Sequence, residues 1–409
     1  MMMVKKKKQQ YKVGVTVIVI CLLVFVGIFF AGKSLTTISY ESVKIGTVEH
    51  TKTEKPSREE KIVPSYVDTP EQVKAIYMTA CVAGTPSFRD ELIEIAETTE
   101  INSIVIDIKD FSGGISFDTD NPLLNDFVSD RCGAGDMREL VERLHNAGIY
   151  VIGRITVFQD PLYAVAHPDV AVQKESDRTI WDDYKGVHFI DPGAQDFWKY
   201  IVELSKESHK LGFDELNYDY IRYPSDGPMK DIYFPVSYKR ADGQKKEVLR
   251  DFFEYLYEEI NIKEGITTSA DLFGMTTTNT DDLNIGQYLE YALSYFDYVA
   301  PMVYPSHYPK GFNGWNNPND HIYDVVHYSM SSAFNRALAF QKATSTPSDI
   351  AERISPLQLR TWIQDFDYGG DYGATEIRAQ FKASYDAGVP SWMIWSPSNK
   401  YTIGALNTE

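Results

Sequence analysis

From residue 73 to its end, this 409-residue chain predicts a (β/α)8 TIM barrel. Strand-like and helix-like segments alternate eight times, and that repeat fits a barrel of about 250 residues enlarged by insertions. No Gly-rich phosphate turn follows the first strand, which argues against the main rival, a doubly wound open sheet. The excess length falls in 159–193, 225–244, 305–320 and 344–356, after strands or near a strand start. Loops that follow strands gather at the C-terminal face, where barrel enzymes place chemistry.

The elements follow in order. Lys74–Ala80 is the first strand, with a helix near Ser87–Glu100 that Ser87 or Asp90 suits as a cap. Ser103–Lys109 is the second, its helix near Asp136–Ala147 ending at Gly148. Tyr150–Phe158 precedes a helix near Ala194–Leu211 that ends at Gly212. Phe213–Tyr223 precedes one near Lys245–Ile260, and Thr267–Phe273 one near Ile285–Tyr295. Tyr298–Tyr304 leads to a helix near Ile322–Gln341. Arg360–Phe366 leads to one near Thr375–Ala387 ending at Gly388, and Trp392–Trp395 closes the series.

Ahead of the barrel, residues 1–12 carry Lys5, Lys6, Lys7, Lys8 and Lys12 and no acid. Val13–Ala31 then runs 19 residues without a charge, close to the roughly 20 a membrane-spanning helix needs. The positive-inside rule keeps the lysines in the cytoplasm and sends the rest outside. A signal peptide, and a secreted product after its cleavage, is the alternative. Its apolar region is shorter, about 7–15 residues, and ends at a small-x-small site, which Phe29-Phe30-Ala31-Gly32 fits poorly. Residues 32–72, rich in Ser, Thr, Lys and Glu, read as an extracellular linker.

The net charge of −18 argues against nucleic acid as a partner. Three cysteines make no disulfide scaffold; Cys81 and Cys132 are expected as two buried thiols, with pairing outside the cell as the alternative. No cysteine–histidine cluster has zinc spacing, so neither a metal nor a cofactor is expected.

In FDELNYDYIRYP, Leu216, Tyr218 and Tyr220 alternate with Glu215, Asn217 and Asp219. A strand sends these two sets to opposite faces. The same alternation elsewhere puts Asp107, Lys109, Arg154, Ser269, Asp271, Tyr304, Trp362 and Gln364 at inward strand ends. Burying so many polar groups together is costly without a shared purpose. Asp219 is the candidate nucleophile, its alternative being a carboxylate that holds Arg154 or Arg222. Asp271 is the candidate acid/base, its alternative a cap for the turn at Gly274. Side by side on neighbouring strands, two carboxylates approach the roughly 5–5.5 Å of retaining glycosidases. Crowding would raise the pKa of the acid. Asp107, Lys109, Arg154, Asn217, Arg222, Tyr304, His307, Trp362 and Gln364 are the candidate substrate-binding residues. Trp181, Tyr223, Trp315 and Trp395 are further aromatics for stacking on sugar. Asp365 is out of phase, and Glu215 lies a pleat deeper and reads as structural.

VIDIKD, FDELNYDYIRYP, SADLFG, APMVYPSHY and TWIQDF, in register from about Val73 to Pro397, resemble the bacterial putative glycoside hydrolase domain family, long carried as a domain of unknown function and related to the α-amylase-like superfamily. The stretch Ala166–Gln195 is similar to the substrate loop of such barrels. The resemblance implies a TIM barrel acting on a glycan, with Asp219 where related barrels keep the strand-four nucleophile. Strand five departs from the amylase pattern, offering Asp271 where those enzymes place a glutamate. Chitinase-like barrels end strand four in a glutamate before Tyr-Pro; here that position is Arg222. The expected function is a membrane-anchored extracellular glycoside hydrolase acting on a polysaccharide or cell-surface glycan. The alternatives are a non-catalytic glycan-binding barrel and a metal-dependent hydrolase using Asp107, Asp219 and Asp271 as ligands.

Overall fold

All eight strands pair in chain order, each parallel to the next, and the eighth returns to the first, so the sheet closes into a barrel. A computed structural model describes residues 64–239, 244–343 and 347–408. The basic tail, the apolar run 13–31 and most of the linker lie outside these. Among the described residues no helix is long and apolar enough to cross a membrane.

The strands are β1 (Lys74–Met78), β2 (Ser103–Lys109), β3 (Tyr150–Thr156), β4 (Glu215–Asp219), β5 (Thr267–Phe273), β6 (Tyr298–Met302), β7 (Arg360–Gln364) and β8 (Ser391–Trp395). The helices between them are α1 (Pro86–Thr98), α2 (Met137–Asn146), α3 (Gln195–Leu211), α4 (Lys245–Leu256), α5 (Leu289–Tyr295), α6 (Ile322–Lys342) and α7 (Ala374–Asp386). Gly212 closes α3 at φ 115°, a left-handed position that favours glycine. β4 stops at Asp219 because Tyr220 sits at φ 52°, and α5 starts at Leu289 because Gly286 sits at φ 84° and Tyr288 is extended. Neither Ser87 nor Asp90 caps α1: its N-cap is Thr85, and Asp90 is ion-paired with Arg143.

The outward strand faces meet the helices in the larger core, where Leu216 and Tyr218 of β4 lie with Phe252 of α4. A smaller interior cluster, including Val105, Tyr150, Ile152 and Met393, fills the barrel. At its floor Arg360 Nη1 lies 2.7 and 2.9 Å from the two Glu215 oxygens, and the Tyr150 hydroxyl donates to Glu215 at 3.0 Å. Arg360→Met would strand a buried carboxylate, a loss of about 3–5 kcal/mol; urea unfolding at neutral pH measures it. The end of the predicted linker belongs to this floor: Val67 N–H donates to Asp214 at 2.7 Å and Thr69 to the Tyr150 hydroxyl at 3.0 Å.

Cys81 and Cys132 form a disulfide, with Cα atoms 4.3 Å apart. This corrects the expectation of two buried thiols, since Cys81 is exposed and Cys132 half-buried. The insertions after β3 and β4 form one wall of the mouth. Asp191 staples them, accepting the Val236 and Ser237 N–H groups at 2.7 and 2.9 Å. Trp181, Val172 and Phe189 pack as a small core beneath. Trp181 is therefore buried away from the cleft, as is Tyr223, whose hydroxyl donates to Ser237.

Candidate active site

The strand register builds the site. Asp107 pairs with Arg154, Arg154 with Asn217 and Asn217 with Ser269, one inward rung across β2 to β5. The last pair of β4 with β5 is Tyr218 with Ala270, and Asp219 and Asp271 are the next residues of the two strands toward the mouth. Arg154 is the hub. Its guanidinium lies 2.7 Å from Asp107, 2.5 Å from Asp219 and 3.9 Å from Asp271. All four residues are buried.

These groups carry different protonation demands. Asp271 is pushed up to about 8, first by burial and then by the charge of Asp219. Asp107 rises to about 6 by burial, which Arg154 partly offsets. Burial disfavours the Arg154 cation, but Asp219 and Asp107 outweigh it and hold the proton more tightly than usual. Asp219 Oδ2 faces Arg154 and its Oδ1 accepts the Tyr220 N–H at 2.5 Å. Tyr220 is a bulky residue held in the left-handed region, strain of the kind that collects at functional sites. Asp271 does not cap the turn at Gly274. Its Oδ1 accepts Asn217 Nδ2 at 2.9 Å and Trp362 Nε1 at 2.7 Å, which fixes the carboxyl and leaves Oδ2 toward Arg154.

Above these carboxylates opens a hollow of about 220 Å³, walled by Tyr304, Trp362, Trp395, Met302 and Phe273. The Tyr304 hydroxyl lies in this wall, buried and without a hydrogen-bond partner among the described residues. Gly274 is obligatory there, because a Cβ would collide with the Met302 carbonyl. A second hollow of about 580 Å³ shares Arg154, Tyr220, Arg222 and Trp395 with the first and reaches Asp107. Trp395 stacks on Tyr77 at 4.0 Å, with the Arg154 guanidinium 5.1 Å from its ring. His307 stands exposed at the rim, its pKa lowered by partial desolvation and then by Lys185.

Two predicted site residues face elsewhere. A register shift between Asp107 and Lys109 turns Lys109 out of the barrel, where it ion-pairs with buried Asp160 at 2.9 Å; a one-residue slip reverses a side chain's face. Gln364 does not line the hollow: its Oε1 accepts the Ser306 hydroxyl at 2.8 Å, so it holds the loop that carries His307. Asn217 is fully buried and orients Asp271. Asp365 accepts from Thr402 and anchors the C-terminal segment. Trp315 stacks on His321, outside the hollow. Sequence reasoning missed Tyr77, whose hydroxyl donates to Asp107 at 2.5 Å. Alternation in β1 could have found it; Tyr220 and Lys185 gave no such signal.

Among the described residues, no group of three or more His, Cys, Asp or Glu side chains has the geometry of a metal site. Asp107, Asp219 and Asp271 do converge, on the Arg154 cation.

A family model described as a putative glycosyl hydrolase domain matches residues 75–401, and the chain belongs to that family. No curated protein matches it in sequence. A hypothetical protein from Ruminiclostridium thermocellum is 29% identical over 48% of this chain and 96% of its own, with a TM-score of 0.42. The PgaB (BpsB) glycoside hydrolase domain from Bordetella bronchiseptica shares the fold at a TM-score of 0.56 and 15% identity, covering 81% of this chain and 95% of its own. So does α-L-fucosidase isoenzyme 2 from Paenibacillus thiaminolyticus, at 0.54 and 13%, covering 82% and 48%.

Proposed function

We propose that this member of the glycosyl hydrolase family is a retaining glycosidase acting on a polysaccharide or cell-surface glycan, with Asp219 as nucleophile and Asp271 as acid/base. The observation that carries the reading is the unequal pair about Arg154. Asp219 is bonded to the Arg154 cation and to a backbone N–H. Asp271, beside it, keeps its proton to about pH 8. A retaining cycle asks for that division. The acid protonates the glycosidic oxygen as the nucleophile attacks the anomeric carbon. Its carboxylate then takes a proton from the water that releases the sugar. The adjacent strands and their register support retention over inversion. Trp362 and Trp395 would give the sugar apolar faces to lie on.

The chain is further read as anchored by Val13–Ala31 with the barrel outside the cell. The charge asymmetry of residues 1–31 supports this, as does the Cys81–Cys132 bridge, which belongs to an oxidising compartment.

The test is release of reducing sugar from a polysaccharide panel, with Asp219→Asn as the comparison and NMR to assign the anomer first formed. Glycan retained without turnover by both proteins would instead favour the non-catalytic binding module. In the turnover case, kcat/KM should fall as pH rises through about 8, the acid form of Asp271 being the active one. Linkage adds a sign. A carboxyl whose folded pKa lies above its unfolded value binds extra protons when folded, so stability falls from about pH 4 to about pH 8. Asp271→Asn should flatten that slope in thermal melts.

A further inference from the structure

The cations of the cleft are not all accounted for by its acids. Arg154 is held by Asp107 and Asp219. Arg222 and Lys185 line the second hollow, and neither has an ion-pair partner among the described residues. Asp183, the acid nearest Lys185 in the chain, is spent on its own turn: Oδ1 accepts the Lys185 and Val187 N–H groups at 2.8 and 2.9 Å. Asp226 stands exposed on the rim, also without an ion pair among the described residues. The body around this cleft is acidic, with 58 acids to 40 bases in the whole chain. Two cations facing the candidate site with no ion pair among the described residues run against that background.

The Arg222 geometry is specific. Its Nη1 donates to the Tyr223 carbonyl and the Ser225 hydroxyl, both at 3.1 Å. Its plane lies 5.0 Å from the Tyr220 ring centre and 5.9 Å from that of Phe273, which limits its rotamers. The Nε–Nη2 edge has no hydrogen-bond partner among the described residues. That edge is the fork a carboxylate accepts in bidentate fashion. Arg222 also borders both hollows, so an anion on it would belong to a sugar next to the one above Asp219. Lys185 stands near enough to His307 for its charge to be felt there, so its field reaches the cleft.

We propose that the glycan is acidic, with a uronic acid or similar carboxylated sugar seated beside the cleavage point, its carboxylate on the Arg222 fork and Lys185 adding attraction. The inference rests on the glycosidase reading for its place in a reaction, but its test does not need turnover. The protein is titrated calorimetrically with trigalacturonate, with neutral maltotriose and with a cationic chitosan trimer, at low and high salt. Trigalacturonate should bind roughly 10-fold more tightly than maltotriose, and Arg222→Gln should remove that margin, as loss of a charged hydrogen-bond pair would. Lys185→Gln, on an exposed loop, should reduce the margin at low salt and not at high salt. It also keeps the test alive if Arg222→Gln fails to fold. Equal binding of the three sugars, preference for the chitosan trimer, or an acidic preference untouched by both substitutions overturns the proposal. Selective binding of trigalacturonate with no cleavage of any glycan would remove the glycosidase reading and leave this one standing. Cleavage of neutral glycans with no acidic preference would do the reverse.

Discussion

Asp219→Asn is expected to lower kcat on the responding glycan by about 10³–10⁵-fold, the scale seen when a covalent catalyst is removed but the rest of a site remains. The amide keeps the size of the carboxylate, and its one oxygen can still accept from either Arg154 or the Tyr220 N–H, though not from both on separate oxygens as the carboxylate does. The fold should therefore persist, and a circular dichroism melt on the same sample checks it. KM should change little, because the aromatic walls of the hollow are left untouched. Activity within a few-fold of wild type would remove Asp219 from the chemistry. The arginine–carboxylate pair would then be scaffolding, the alternative that the sequence itself raised for this residue.

The second large effect is expected from Arg154→Met. The guanidinium is the only cation within 4 Å of Asp107, Asp219 and Asp271 among the described residues. Methionine fills much of its volume but leaves those carboxyls buried without a counter-ion. Breaking such a pair costs about 3–5 kcal/mol. In a domain of this size that is a fall of roughly 10 °C in the melting midpoint at pH 7. The loss should shrink toward pH 4, because the stranded acids then take up protons in place of the lost cation. A deficit independent of pH would trace the loss to packing instead. Arg154→Lys should fall between, since one ammonium cannot reproduce a fork that reaches three carboxylates. Turnover should drop in both variants, as Arg154 holds Asp219 and opposes the upward push on the Asp271 pKa.

The barrel was legible because its signal is repeated. Period-two strands recur eight times with helix-like segments between them, and a local error at one end does not alter the count. Asp219 and Asp271 were legible for a related reason. Alternation fixes which face a residue occupies once its strand is right, and β5 was predicted to its ends. Lys109 shows the limit of that rule. SIVIDIK alternates without interruption, yet the pairing of β2 with β3 slips between Asp107 and Lys109, and a slip depends on the partner strand. Gln364 was placed on the right strand but given the wrong neighbour, because the loop it holds arrives from β6. The cysteines were misjudged because their pairing depends on two distant loops meeting at the surface.

By itself the sequence determined the closed repeat, the inward rank of polar strand ends and the two carboxylates on adjacent strands. All of these follow from side-chain periodicity along one segment. Only the tertiary structure decided that Arg154 joins three acids, that the Asp271 pKa is raised, and that Arg222 and Lys185 face the cleft without an ion-pair partner among the described residues. Those outcomes depend on burial and on distances between segments remote in the chain. Electrostatic energies change steeply with both, and neither is encoded in the spacing of residues along a strand.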